Sequence, residues 1–251
     1  FGLTEDQGAV FEQVSPRIRL DHVQWRLVPE RVFESLTVLA DVSNLELTLV
    51  GAVPGVSGLR GFMKFGLGAG YLDFDAADAR LQFGKLYDEP WSVEQIRGRL
   101  AYRQAEDGYA LTSGKLTATA DGIAAEGKFH MNLTQDRRLR TWGLVIGAKN
   151  FDLAAVFPFI PNTVPKTATS WLDQNLLAGR STVTGLFVHG SLDRISPKVE
   201  KQYGIQISLE QGVVQYNPEW PVAIDTVGQI GVSNKGIFGE QLVTRLYETA
   251  A

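Results

Sequence analysis

The strongest constraint in this sequence is how persistently apolar and polar residues alternate. Leu45, Leu47 and Leu49 alternate with Glu46 and Thr48, which marks a half-buried strand. Leu72 and Phe74 share one face of another run while Asp73 and Asp75 take the other. From Ile96 to Arg103, Arg97, Arg99 and Arg103 occupy the polar phase. Pattern alone predicts roughly fifteen such strands and a single confident helix. Nearly every strand then has one apolar face, and an apolar face must be covered. One helix covers only a few strands. Either the sheet folds over as a sandwich or closed barrel, or it curls into a trough whose lining meets something else.

The helix is expected at about 165–178. Ala168, Trp171, Leu172 and Leu176 recur at helical spacing, with Lys166, Asp173 and Gln174 between them. Pro165 suits the first helical position, and Gly179 suits a left-handed stop. Arg180 then lies near the negative end of the helix dipole. Such a helix plugs one end of a β core, or caps an apolar groove.

Composition closes off several classes. The chain has 251 residues and a net charge of −4, with no basic footprint for nucleic acid. It has no cysteine, so a disulfide framework, a thiolate metal site and a cysteine nucleophile are excluded. No apolar run approaches the ~18 residues of a membrane-spanning helix. The chain opens at Phe1 and stops just after a strand-like run, so it is expected to be an excised piece of a longer protein.

Along the chain, residues 1–40 read as a poorly patterned lead-in, with a phase shift near Asp21 and His22 that suggests a bulge. A β-meander is expected over 41–160, a linker and helix over 161–180, and a second meander over 181–251. Turns fall at Pro54-Gly55, Glu106-Asp107-Gly108, Asp121-Gly122 and Tyr216–Pro221. A weak repeat of glycine, polar, apolar recurs at Gly98, Gly114, Gly127 and Gly228. Its irregular spacing argues for a meander of similar hairpins, not a propeller or strict solenoid.

Motifs for chemistry are few. Gly66-Leu67-Gly68-Ala69-Gly70 is followed by another strand and not by a helix, so it reads as a hairpin loop. Asp73, Asp75 and Asp78 lack the glycine and bidentate glutamate of a calcium loop. His22, His130 and His189 are far apart in sequence and lack metal-ligand spacing. No catalytic residue, metal site or cofactor is assigned, and the chain is read as a non-enzyme.

Three stretches, in order, carry a resemblance. They are Asp41-Val42-Ser43-Asn44 with Pro54-Gly55-Val56-Ser57-Gly58-Leu59; then Thr169-Ser170-Trp171-Leu172-Asp173 with Gly179, Arg180 and Gly185; then Tyr216-Asn217-Pro218-Glu219-Trp220-Pro221. Together, over about residues 40–245, they resemble the large bacterial envelope proteins of the YhdP type in the AsmA-like superfamily. The resemblance implies a mainly β fold: an elongated, curled antiparallel sheet forming a β-groove. It implies a segment of a periplasmic protein anchored in the bacterial inner membrane, with phospholipid as its partner between inner and outer membranes.

That role agrees with the one-sided strands. Each buried methylene is worth ~0.8 kcal/mol, so exposing the roughly thirty methylenes of a two-chain lipid costs on the order of 24 kcal/mol. A transfer path therefore needs a continuous apolar lining. The expected lining is Leu59, Met63, Phe65, Leu72, Phe74, Leu81, Phe83, Leu100, Leu116, Phe129 and Met131, with Ala168, Trp171, Leu172 and Leu176 on the capping helix. The same residues would be plain core in a closed β-sandwich without lipid, the alternative reading.

Overall fold

A computed structural model describes residues 15, 17–31, 35–49, 55–84, 87–162, 164–191 and 201–246. The expected lead-in before residue 17, apart from Ser15, and the Pro54 half of one turn lie outside them. Thirteen strands form one antiparallel sheet. They are β1 (Arg17–Arg26), β2 (Thr37–Leu47), β3 (Gly55–Gly66), β4 (Ala69–Gln82), β5 (Trp91–Ala105), β6 (Gly108–Ser113), β7 (Leu116–Ala120), β8 (Ile123–Thr134), β9 (Thr141–Asp152), β10 (Leu176–Ser191), β11 (Gln202–Val214), β12 (Ala223–Ser233) and β13 (Gly236–Leu246). Spatial order follows sequence order, except that β6 and β7 share one place between β5 and β8. Among the described residues β1 and β13 are the two ends of the sheet, which is neither a closed barrel nor a pair of stacked sheets.

Thirteen strands replace the expected fifteen or so because bulges divide runs that belong to one strand. In β1, His22 has φ of 49° and the register slips between Asp21 and Gln24. In β11, Gln211 has φ of 53° between the runs near 203–209 and 212–214. A bulge adds one residue and reverses the phase beyond it. In β4, Asp78 has φ of 57°, so the inward set runs Leu72, Phe74, Ala76 and then Ala79, Leu81.

Register fixes two faces. Met63 pairs with Leu72, which pairs with Leu100; Gly61 pairs with Phe74, which pairs with Gly98. This is the apolar, inner face. The outer face carries cross-strand ion pairs. Arg99 donates to both oxygens of Asp73, at 2.5 and 2.6 Å, and its guanidinium lies 4.3 Å from the centre of the Tyr71 ring. Arg97 pairs with Asp75, and Lys115 with Glu126.

One segment leaves the sheet and lies back on its inner face. It is the 3-10 stretch Leu153–Phe159 followed by α1 (Lys166–Asn175). The helix is shorter than expected. Pro165 is its N-cap, and Leu176 is both its C-cap and the first residue of β10. Gly179 and Arg180 are strand residues, and Arg180 pairs with Asp152 on one side and Glu210 on the other. Beyond Asn175 the backbone pairs with β11 from Leu176 and with β9 from Arg180, which outweighs one more helical turn. Gly179, at φ of 137°, supplies the bend.

Candidate functional site

The candidate site is the inner face, an apolar trough that crosses the sheet from strand to strand. Twelve strand places at ~4.8 Å give it a length of roughly 55 Å. All strand residues of the expected lining share this face. Leu59 and Phe74 are buried with Ala76, Ala79, Val93 and Ile96, and Leu72, Leu81, Leu100 and Leu116 pack against that group. Leu116 folds over Gly98, where any side chain would collide with it. Phe129 pairs with Leu144, and Met131 with Leu111 and Trp142. Phe65 contacts the Tyr102 ring at 5.9 Å. Phe83, just past β4, turns into a cluster at one rim with Tyr87, Trp91 and Phe159, whose neighbouring ring centres lie 4.4–5.7 Å apart.

Burial divides the trough. Over β10–β12 it is filled. Leu153, Val164, Ala168 and Leu172 pack onto Val188, Ile205, Ile207, Leu209, Ile230 and Val232, and most of these side chains are essentially inaccessible. Here the apolar phase of α1 does what its periodicity predicts, with Ala168 and Leu172 buried and Trp171 packed at the edge. Over β3–β8, by contrast, the lining is graded. It is buried towards the rim that carries Trp91. It is half-exposed towards the other rim, at Met63, Leu72, Leu100, Leu111, Phe129 and Met131. Phe65 is 37% exposed and Tyr109 38%.

The covering segment is strapped to the first half of the sheet. Tyr87 donates its hydroxyl to the carbonyl of Phe159 at 3.1 Å, and Asn162 donates to Asp88 at 2.9 Å. Burial in this cluster pushes the Tyr87 phenol far above its ordinary range. Thus Leu153–Asn175 spans from β10–β12 to Tyr87, Asp88 and Trp91, across one rim of the trough. The expected bounds put residues 153–160 in the first meander, whereas Leu153–Phe159 leave the sheet as a 3-10 stretch. The expected strand lining also ends at Met131. Leu144, Ile146, Leu186, Val188, Ile205 and Ile207 were legible from alternation, since each pair sits two residues apart in the inward phase.

The outer face offers different chemistry. Two hollows of about 660 and 640 Å³ lie there, the first between Gln95, Thr119, Glu126 and Lys149, the second around Asp73 and Arg99. Arg97–Asp75, Arg99–Asp73 and Lys115–Glu126 pair across strands here, and the Asp73 carboxyl is held below its usual range by the Arg99 hydrogen bonds. Among the described residues no group of three or more histidine, aspartate or glutamate side chains converges on a metal position. No helix among them is long and apolar enough to cross a membrane.

The fold and this face define a class: a single-sheet antiparallel β-meander with one apolar, partly covered concave side. A family model described as YhdP protein matches residues 1–237, and the chain belongs to that family. Comparison with curated proteins and with solved structures returned no match.

Proposed function

We propose that this chain is a segment of a lipid-transfer protein and shields phospholipid acyl chains in its apolar trough. The observation that carries this reading is the half-exposed lining over β3–β8, beside a stretch of the same face that is fully packed. A closed structural module would cover both halves alike. The half-exposed stretch spans β3–β8, five strand places and about 20 Å. An acyl chain is about 15 Å long, half of the ~30 Å bilayer core. The open half is therefore long enough to keep whole chains out of water. Leaving the rim open lets a charged headgroup stay hydrated, which avoids the cost of burying an unpaired charge.

Transfer of this kind makes and breaks no covalent bond, so it calls for a continuous lining and no catalytic group. In this reading the parent protein is anchored in the bacterial inner membrane. The segment described above lies in the periplasm, and phospholipid moves between inner and outer membranes. Native mass spectrometry of the purified chain, with solvent extraction of bound lipid, is the direct test. Adducts of phospholipid mass are expected. A clean apo mass, together with no uptake of labelled phospholipid from vesicles, would favour a lipid-free structural module and sink the proposal.

A further inference from the structure

The three histidines are scattered in the sequence, but pairing brings two of them together. His130 on β8 pairs with Gly143 on β9, and Gly143 pairs with His189 on β10. The row continues to Thr112 on β6 and to Gln202 on β11. This row lies on the outer face, since the flanking Phe129, Met131 and Val188 point into the trough. The two imidazole centroids are 6.0 Å apart, with ring planes 33° from parallel. Gly143 makes this approach possible. A Cβ there would run into the His130 ring, so the ring lies over the bare backbone of β9 and towards His189.

We propose that His130 and His189 form a two-histidine binding site for a divalent transition-metal ion. Metal–imidazole bonds are ~2.0–2.1 Å, which puts each ring centre ~3.2 Å from the metal and two rings ~5.2 Å apart at a tetrahedral angle. The observed 6.0 Å is within about 1 Å of that, a change that small side-chain rotations supply. Imidazole nitrogen selects zinc, nickel or copper over magnesium or calcium.

The surroundings set the character of the site. Its outer-face neighbours among the described residues include Thr112 on β6, Lys128 and Asn132 on β8, Thr141 and Val145 on β9, Phe187 and Ser191 on β10, and Gln202 on β11. Asn132 is engaged with the Thr141 hydroxyl at 3.1 Å. Among the described residues none of these neighbours is a carboxylate, so two imidazoles are the ligands they supply and water fills the remaining positions. Such a site is open and exchangeable, able to accept a third ligand from another molecule, and the nearby Lys128 charge weakens it further.

The test is calorimetric titration of tag-free protein with Zn²⁺ at neutral pH. One-to-one binding is expected, with a dissociation constant on the order of micromolar, tighter for Cu²⁺ and absent for Mg²⁺. His130→Gln and His189→Gln should each weaken Zn²⁺ about tenfold or more, while His22→Gln leaves it unchanged. Gly143→Val should weaken it as well, with circular dichroism to verify the fold. In NMR spectra the ring signals of His130 and His189 should move together on adding Zn²⁺. No saturable uptake at millimolar Zn²⁺, or uptake indifferent to both His130→Gln and His189→Gln, would overturn the site.

Discussion

Phe74 and Phe129 lie on the same face in different surroundings, and that difference separates fold from function. Phe74 is 5% exposed among Leu59, Ala76 and Ile96, whereas Phe129 is half-exposed in the open stretch. Phe74→Asp places an unpaired charge in packed core and should cost at least ~3 kcal/mol, a large part of a typical stability of ~5–15 kcal/mol. Phe129→Asp should leave the fold standing and cut bound lipid roughly tenfold or more, the effect of ~1.4 kcal/mol. Thermal melts and lipid extraction on the two variants check this pair; an unfolded Phe129→Asp would make that position core. The outer face supplies a pH prediction. Asp73, Asp75 and Glu126 titrate below their ordinary values because Arg99, Arg97 and Lys115 bond to them. A depressed carboxylate adds stability above its unfolded pKa of about 4 and loses it as pH falls through the folded value. Melting temperature should therefore be flat above about pH 5 and fall below about pH 4, and the Arg97→Ala, Arg99→Ala double variant should show a shallower acid limb. These pairs are exposed, so the effect is small.

At the scale of elements, the segment Leu153–Asn175 decides which part of the trough is open. Its anchor is Leu172, 1% exposed. Leu172→Ala should cost ~2–5 kcal/mol and loosen β10–β12 beneath it. Tyr87→Phe removes only the bond to the Phe159 carbonyl and should cost ~1 kcal/mol. Hydrogen exchange reads both: protection should drop over β10–β12 in the first variant and only around residues 153–162 in the second. The helix was legible because Ala168, Trp171 and Leu172 recur at helical spacing beside Pro165. Its end was not, because the Gly179 stop signal belongs to a bend in β10, and pairing with β9 and β11 outcompetes another helical turn. The 3-10 stretch was illegible for a related reason: an apolar run broken by Pro158 fits a loop as well as a strap until Trp91 and Tyr87 are seen to receive it.

At the scale of the whole molecule, the described residues form one open sheet of thirteen strands, along which lining, cover and rims are continuous. The expected boundary near residue 40 falls inside β2. Protection from exchange should be greatest over β10–β12, where the face is packed under the strap, and least in β13, whose residues are all exposed.

The sequence by itself determined the period of the strands, the one-sided apolar face and the existence of the helix. These are local consequences of how side chains alternate along a pleated or helical backbone. Its three ordered stretches also pointed to the family that the chain belongs to. Only the tertiary structure decided which part of the face is covered, where bulges at His22, Asp78 and Gln211 reset the inward phase, and that His130 meets His189 across Gly143. Those features depend on register and on long-range docking between residues as far apart as Tyr87 and Phe159, and local periodicity carries no information about either.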